Sequence, residues 1–301
     1  MNRRDFARHV AGAVIGSAAL GDAGLSGIPA VPGPEGEAPG VPFKLSVMLW
    51  TVFQKLPFEQ RLEKVAEAGY KYVELVGEYQ KWSEEDYHRA NAKRRELGIT
   101  FDTTAGLAHH VGNPNDRDAF LADLRNELPR MEKLECPAII IMSGDVVPGM
   151  PREKQHQSCI EGLKRAAEAT EAKNITLLLE NIDPEENPKY YLTSVAEGFE
   201  IVKAVDHPRV NFLYDFFHEQ ISEGNLIKKL EKNIQHVGLV HIADVPGRHE
   251  PGTGEINYQN IFRTLGRLKY ERFAAMEFLP TGDPVKSLRG AREMAIRAGK
   301  V

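Results

Sequence analysis

From residue 43 onward the chain alternates between two kinds of pattern. Short, nearly unbroken apolar runs recur at Lys44–Trp50, Tyr72–Val76, Thr100–Thr104, Ala138–Met142, Thr176–Glu180, Asn211–Asp215, Val237–Ile242 and Phe273–Glu277. Such runs suit strands buried on both faces of a parallel sheet. Between them the apolar residues follow a helical period. Phe58, Leu62, Val65 and Ala66 share one face, and so do Phe120, Leu124, Leu128 and Met131. Gly69 and Gly98 fall where such helices should stop. Eight strand–helix units in about 259 residues match the count and size of a single-domain (β/α)8 TIM barrel. An open doubly wound sheet is the competing arrangement, but no glycine-rich dinucleotide loop follows the first run. The pattern therefore predicts a closed barrel over residues 43–301.

The first 42 residues read differently. Arg3-Arg4 precedes a weakly apolar, Ala- and Gly-rich run from Val10 to Leu20, the order of a bacterial twin-arginine export signal over residues 1–26. Gly27 to Pro42 follows with nine Pro or Gly among sixteen residues, a linker composition that extends and does not pack. The expectation is an exported, periplasmic protein whose signal is removed, with no stable membrane association afterwards. Export by this route normally carries folded proteins, often with a cofactor loaded, which favours a metal site in the mature domain.

Composition narrows the partners. With 38 basic and 43 acidic residues the formal net charge is −5, and no basic block offers a nucleic-acid surface. Two cysteines, Cys136 and Cys159, exclude a disulfide scaffold and a cysteine-based zinc site, and both are expected as buried free thiols. A small-molecule ligand is the expected partner, with self-association left open.

In barrels of this kind chemistry sits at the C-terminal ends of the strands. The final four runs end, or nearly end, on Leu177-Leu178-Leu179-Glu180, Phe212-Leu213-Tyr214-Asp215, Leu239-Val240-His241 and Ala275-Met276-Glu277. Three carboxylates on one rim would repel one another unless a cation sat among them, because buried charge is costly when unpaired. Oxygen ligands with one imidazole suit Mn²⁺ or Mg²⁺, with Co²⁺ and Zn²⁺ also compatible. No nucleotide loop calls for an organic cofactor.

The strings Asp215-Phe-Phe-His218-Glu-Gln220-Ile-Ser-Glu-Gly224-Asn225-Leu226 and His241-Ile-Ala-Asp-Val-Pro246-Gly247-Arg248-His249-Glu250-Pro251 resemble the hydroxypyruvate isomerase family. So do Gly254-Glu255-Ile256-Asn257-Tyr258 and Glu277-Phe-Leu-Pro280. That family belongs to the xylose-isomerase-like barrels, which bind one divalent metal. The resemblance implies that Glu180, Asp215, His241 and Glu277 are metal ligands and that Glu180 and Glu277 double as the acid/base pair. It also implies that His218 and Arg248 face the substrate oxygens. His241 stands where these isomerases often carry glutamine, which makes the site similar to ketose 3-epimerases, and Glu74 to Tyr79 lacks their Trp-Pro-Tyr-like sequence.

Three further residues are candidates for the pocket. Trp50, at the end of the first run, is read either as a sugar-stacking wall or as barrel packing. His109, with His110, either lines the pocket or lies on an exposed loop. Glu186 either binds a substrate hydroxyl or is solvated. Arg248 has a bland alternative in a surface salt bridge with Glu250, and His249 and Glu255 have one in fixing their loop. The expected activity is a metal-dependent isomerisation of a hydroxyaldehyde and a hydroxyketone through an enediolate, on a sugar or hydroxy-keto acid. A ketose 3-epimerase or another sugar- or inositol-modifying enzyme is the alternative. A non-catalytic sugar-binding barrel and an endonuclease follow at a distance.

Overall fold

The structure, a computed structural model, describes residues 40–300. The expected export signal, and the expected linker as far as residue 39, lie outside them. Eight parallel strands form a closed barrel in chain order. They are β1 (Lys44–Met48), β2 (Tyr72–Val76), β3 (Thr100–Ala105), β4 (Ala138–Met142), β5 (Thr176–Glu180), β6 (Val210–Asp215), β7 (Val237–Ile242) and β8 (Phe273–Met276). Helices cover the outside, with two of them, Phe216–Ser222 and Leu226–Asn233, between β6 and β7. Gly69 and Gly98 terminate the helices Phe58–Glu67 and Glu84–Glu96 at φ of +90° and +65°, a backbone region open to glycine at no steric cost. Val41, inside the stretch read as linker, is buried, and a side chain at Gly299 would collide with Phe43 and press on Val41.

The period of two along a strand sorts the residues into two cores. Val47, Leu177, Leu179, Phe212, Tyr214, Val240, Ile242, Ala274 and Met276 pack outward against the helices. Met48, Ile140, Leu178, Leu213, Leu239 and Ala275 fill the barrel interior as a separate cluster. Each interior residue of β5 to β8 is followed two positions later by Glu180, Asp215, His241 or Glu277. The alternation that buries Leu178, Leu213, Leu239 and Ala275 therefore turns all four polar side chains inward at the same mouth.

The first strand is shorter than its apolar run. Leu49–Thr51 forms a 3-10 turn, with the Thr51 hydroxyl donating to the Met48 carbonyl and with Arg61 and the Val52 N–H donating to the Leu49 carbonyl. Trp50 thus sits on a turn above β1 rather than in it. Cys136 and Cys159 are buried free thiols. No helix among the described residues is long and apolar enough to cross a membrane.

Candidate metal centre and active site

Asp215 and His241 are paired neighbours on β6 and β7. Glu277 is fixed beside them, its backbone N–H donating to the Ile242 carbonyl at 3.0 Å. The ligand atoms of Glu180, Asp215, His241 and Glu277 all lie within 4.8 Å of one another, and all four residues are buried. Asp215 divides its work. Its Oδ1 caps the helix Phe216–Ser222 by accepting from Phe217 N and His218 N, which leaves Oδ2 turned into the cluster.

Three buried atoms here have no aligned hydrogen-bond partner: Asp215 Oδ2, His241 Nδ1 and Glu277 Oε2. They face one another, with His241 Nδ1 at 3.0 Å from Glu277 Oε2, 3.3 Å from Glu180 Oε1 and 3.9 Å from Asp215 Oδ2. Converging lone pairs in a buried site call for a cation. Without a metal, that cation is a proton. Burial opposes charge on the His241 ring, but the carboxylates of Glu277 and Glu74 outweigh it and raise the imidazole well above its ordinary value. A divalent ion with oxygen-rich, one-imidazole coordination fits the same donors and would displace that proton.

The two glutamates are not equivalent. Glu277 is also met by the Trp50 indole N–H, at 3.0 Å from Oε1, and by Arg248 Nη1, at 3.0 Å from Oε2. Burial would push its carboxyl up, but His241 and Arg248 prevail and hold it well below the usual carboxylate range. Burial pushes the Glu180 carboxyl up, and His241 offsets this only in part. Glu180 is thus the less restrained of the pair.

A second set of residues stands beside the first. Asp183, fully buried, accepts from Glu185 N and Glu186 N through Oδ1, and its Oδ2 lies 2.6 Å from His218 Nδ1. With Nδ1–H donated to Asp183, the other ring nitrogen, Nε2, lies 3.0 Å from Arg248 Nη2 and 3.4 Å from Asp215 Oδ2. Burial disfavours a charged His218 ring, yet Asp215 and Asp183 more than offset it and bring the group up to about 9. Arg248 is buried against the Phe217 ring and forms a two-pronged pair with Glu186 at 3.1 and 3.0 Å. Its loop hangs on Asp244, whose carboxylate accepts from the backbone N–H groups of Val245, Gly252, Gly254 and Ile256.

These contacts bear on several of the alternatives. Arg248 does not pair with Glu250, which instead binds Thr281 and Ser287. Glu186 is neither free nor merely solvated, since it holds Arg248. Trp50 touches Glu277 directly. His109 stands apart, its ring half-exposed and hydrogen-bonded to Asp123 at 2.8 Å. His249 and Glu255 do fix their loop, through the Leu279 carbonyl and Gln220.

The sequence reading did not single out Asp183, or Glu74 and Asp102 inside the barrel. Glu74 on β2 accepts from His241 Nε2 at 3.0 Å, and Asp102 on β3 accepts from Ser46 at 2.8 Å. Burial, and then the Glu74 charge, push the Asp102 carboxyl well above its ordinary value. One signal was available: Glu74 is a charge in the middle of an apolar run, on its inward register.

Comparison with known proteins agrees with the geometry. A family model described as xylose isomerase-like TIM barrel matches residues 62–296. A 2-oxo-tetronate isomerase of Haemophilus influenzae is 34% identical over 81% of this chain and 96% of its own length. The hydroxypyruvate isomerase of Escherichia coli is 27% identical over 82% of this chain and 97% of its own. Among solved structures, an AP endonuclease, family 2, from Brucella melitensis superimposes with a TM-score of 0.74 at 26% identity, over 82% of this chain and 96% of that one. With its closed eight-strand barrel, and with relatives matched along nearly their whole lengths, the chain belongs to the xylose isomerase-like TIM barrel family.

Proposed function

We propose that this protein is a divalent-metal-dependent isomerase that interconverts a hydroxyaldehyde and a hydroxyketone, acting on a small hydroxy-keto acid as the hydroxypyruvate and 2-oxo-tetronate isomerases do. The observation that carries the reading is the pair of buried glutamates, Glu180 and Glu277, sharing one cluster with Asp215 and His241. Such an isomerisation moves a proton between adjacent carbons through an enediolate, so it needs a positioned base and acid, roles that two carboxylates can fill, and stabilisation of the developing oxyanion. The names of the relatives support the same reaction class.

A bound Mn²⁺ or Mg²⁺ supplies Lewis acidity toward the carbonyl and the neighbouring hydroxyl oxygen. Asp215 and His241 would hold it, together with one oxygen of each glutamate. One glutamate takes the proton from one carbon and the other returns a proton to the next, while the substrate's hydroxyl oxygen gives up a proton and its carbonyl oxygen gains one; Trp50 and Arg248 orient Glu277. His218, set by Asp183, and Arg248, set by Glu186, offer N–H groups to the substrate oxygens. No hydride acceptor or organic cofactor enters the balance.

A second reading, a ketose 3-epimerase, is favoured by the imidazole of His241 in the ligand set, and it uses the same glutamates with the proton returned to the opposite face. An endonuclease would want a histidine-rich, multi-zinc centre and a basic groove. The cluster here contains one imidazole, and the chain is net acidic. The test is turnover by metal-reconstituted protein on hydroxypyruvate, 2-oxo-tetronate, tartronate semialdehyde and free ketoses. Conversion of the acids between aldehyde and ketone forms supports the first reading. Epimerised ketoses as the main products would replace it with the second, and no turnover on any of them would leave a binding barrel.

A further inference from the structure

Glu74 is a charge inside the barrel beneath the four-residue cluster. It and His241 are fully buried, and their contact crosses the barrel interior from β2 to β7, between strands that are not neighbours. The other Glu74 oxygen, Oε1, has no hydrogen-bond partner. The barrel interior is filled by residues such as Met48, Leu213 and Leu239, with Ser46 and Asp102 hydrogen-bonded to each other between β1 and β3. A buried carboxylate among them is costly unless it is partnered, and the hydrogen-bond partner of Glu74 is the ring of His241. A carboxylate accepting from Nε2–H fixes the tautomer, leaving the Nδ1 lone pair directed at Glu180, Asp215 and Glu277.

We infer that Glu74 is the positioning residue of the metal centre: from inside the barrel it holds His241 with Nε2–H turned inward and Nδ1 presented to the ion, and so sets how tightly the ion is bound. The inference rests on the metal reading of the four-residue cluster. Because Glu74 acts through a hydrogen bond and a charge, Glu74→Gln keeps an acceptor and loses the charge, while Glu74→Met loses both.

The experiment titrates Mn²⁺ into metal-stripped full-length protein by calorimetry and follows the thermal midpoint of the stripped protein in parallel. Loss of a group that orients a ligand typically weakens metal binding about 10- to 100-fold. Glu74→Met is expected at the upper end of that range and Glu74→Gln at the lower. The stripped variants should melt below the wild type, since each leaves the buried His241 ring without its charged partner, and affinity is compared at temperatures where all are folded. Asp102→Asn removes another buried interior carboxylate, one bonded to Ser46 and not to His241, and should leave Mn²⁺ affinity nearly unchanged. A merely structural carboxylate would lower the melting temperature and leave the Mn²⁺ affinity of the folded protein as it is. Wild-type affinity in both Glu74 variants overturns the inference while leaving the metal reading intact. Absence of stoichiometric Mn²⁺ binding by the wild type overturns both. If neither variant folds, nitrogen-detected NMR of the Mg²⁺-loaded wild type decides: an Nε2-protonated His241 supports the inference and an Nδ1-protonated ring contradicts it.

Discussion

Replacing each glutamate of the centre with glutamine separates holding the metal from moving the proton, and the contacts of the two residues give different expectations. At Glu277 both oxygens face donors: Oε1 accepts from the Trp50 indole, and Oε2 lies 3.0 Å from Arg248 Nη1 and from His241 Nδ1 without an aligned hydrogen bond to either. A glutamine there must turn its own NH₂ toward one of those donors, so one buried donor is left facing another. An unsatisfied buried group of that kind costs about 1–3 kcal/mol, equivalent to a loss of metal affinity of roughly 5- to 150-fold. At Glu180 the side chain meets only His241, at 3.3 Å from Oε1, and a glutamine can keep its oxygen on the cluster and turn its NH₂ away. Glu180→Gln should therefore bind metal only a few-fold more weakly, whereas Glu277→Gln should lose both affinity and thermal stability. Turnover should fall much further in both, on the order of 10²–10⁴-fold at saturating metal, because neither amide can take the proton. By contrast, activity lost in Asp215→Asn or His241→Ala should partly return with excess metal, since mass action compensates a ligand but not a missing base. Metal content and rate are read on the same preparations. Near-normal turnover of either glutamine variant at saturating metal would refute the two-glutamate mechanism.

Other expectations follow from single contacts. Trp50→Phe removes the indole donor to Glu277 and should lower kcat about tenfold with little change in KM, since a hydrogen bond to a charged group is worth about 1.5–3 kcal/mol. An unchanged kcat with a raised KM would make Trp50 a stacking wall instead. Glu219 is buried against Lys229, and burial outweighs that partner and pushes its carboxyl up to about 7. The folded state thus holds this proton more tightly than the unfolded chain, and stability should fall as pH rises from about 4.5 to 7. Glu219→Gln should remove that slope, raising unfolding free energy at pH 8 by up to about 3 kcal/mol while changing little at pH 5. Denaturant midpoints at the two pH values measure it, and destabilisation at pH 8 would contradict the burial argument. Lysine at Arg3 and Arg4 should trap the precursor in the cytoplasm, and unchanged export would count against the twin-arginine route.

The barrel was legible because its strands are buried on both faces and so read as unbroken apolar runs, and because its helix ends carry Gly69 and Gly98. The four-residue cluster was legible because each member closes, or nearly closes, such a run. The end of β1 was not, since at the turn of Leu49–Thr51 the Thr51 hydroxyl and Arg61 donate to backbone carbonyls, which no run of apolar residues records. Glu74 and Asp183 escaped for a related reason. Their partners lie 167 and 35 residues away, so only the closed barrel brings each carboxylate to its imidazole. Glu186 looked solvated among polar neighbours until the loop fixed by Asp244 delivered Arg248 to it.

The measurement that tests the central claim most directly is turnover of metal-reconstituted protein in heavy water, with the product examined for deuterium at the carbon that gains hydrogen. Proton transfer by Glu180 and Glu277 requires the abstracted hydrogen to reach a carboxylate, from which it exchanges with solvent. The expected result is deuterium on that carbon, lost in the glutamine variants together with turnover. Full retention of the substrate hydrogen during normal turnover would contradict a carboxylate-borne proton and point to a direct hydride shift between the carbons.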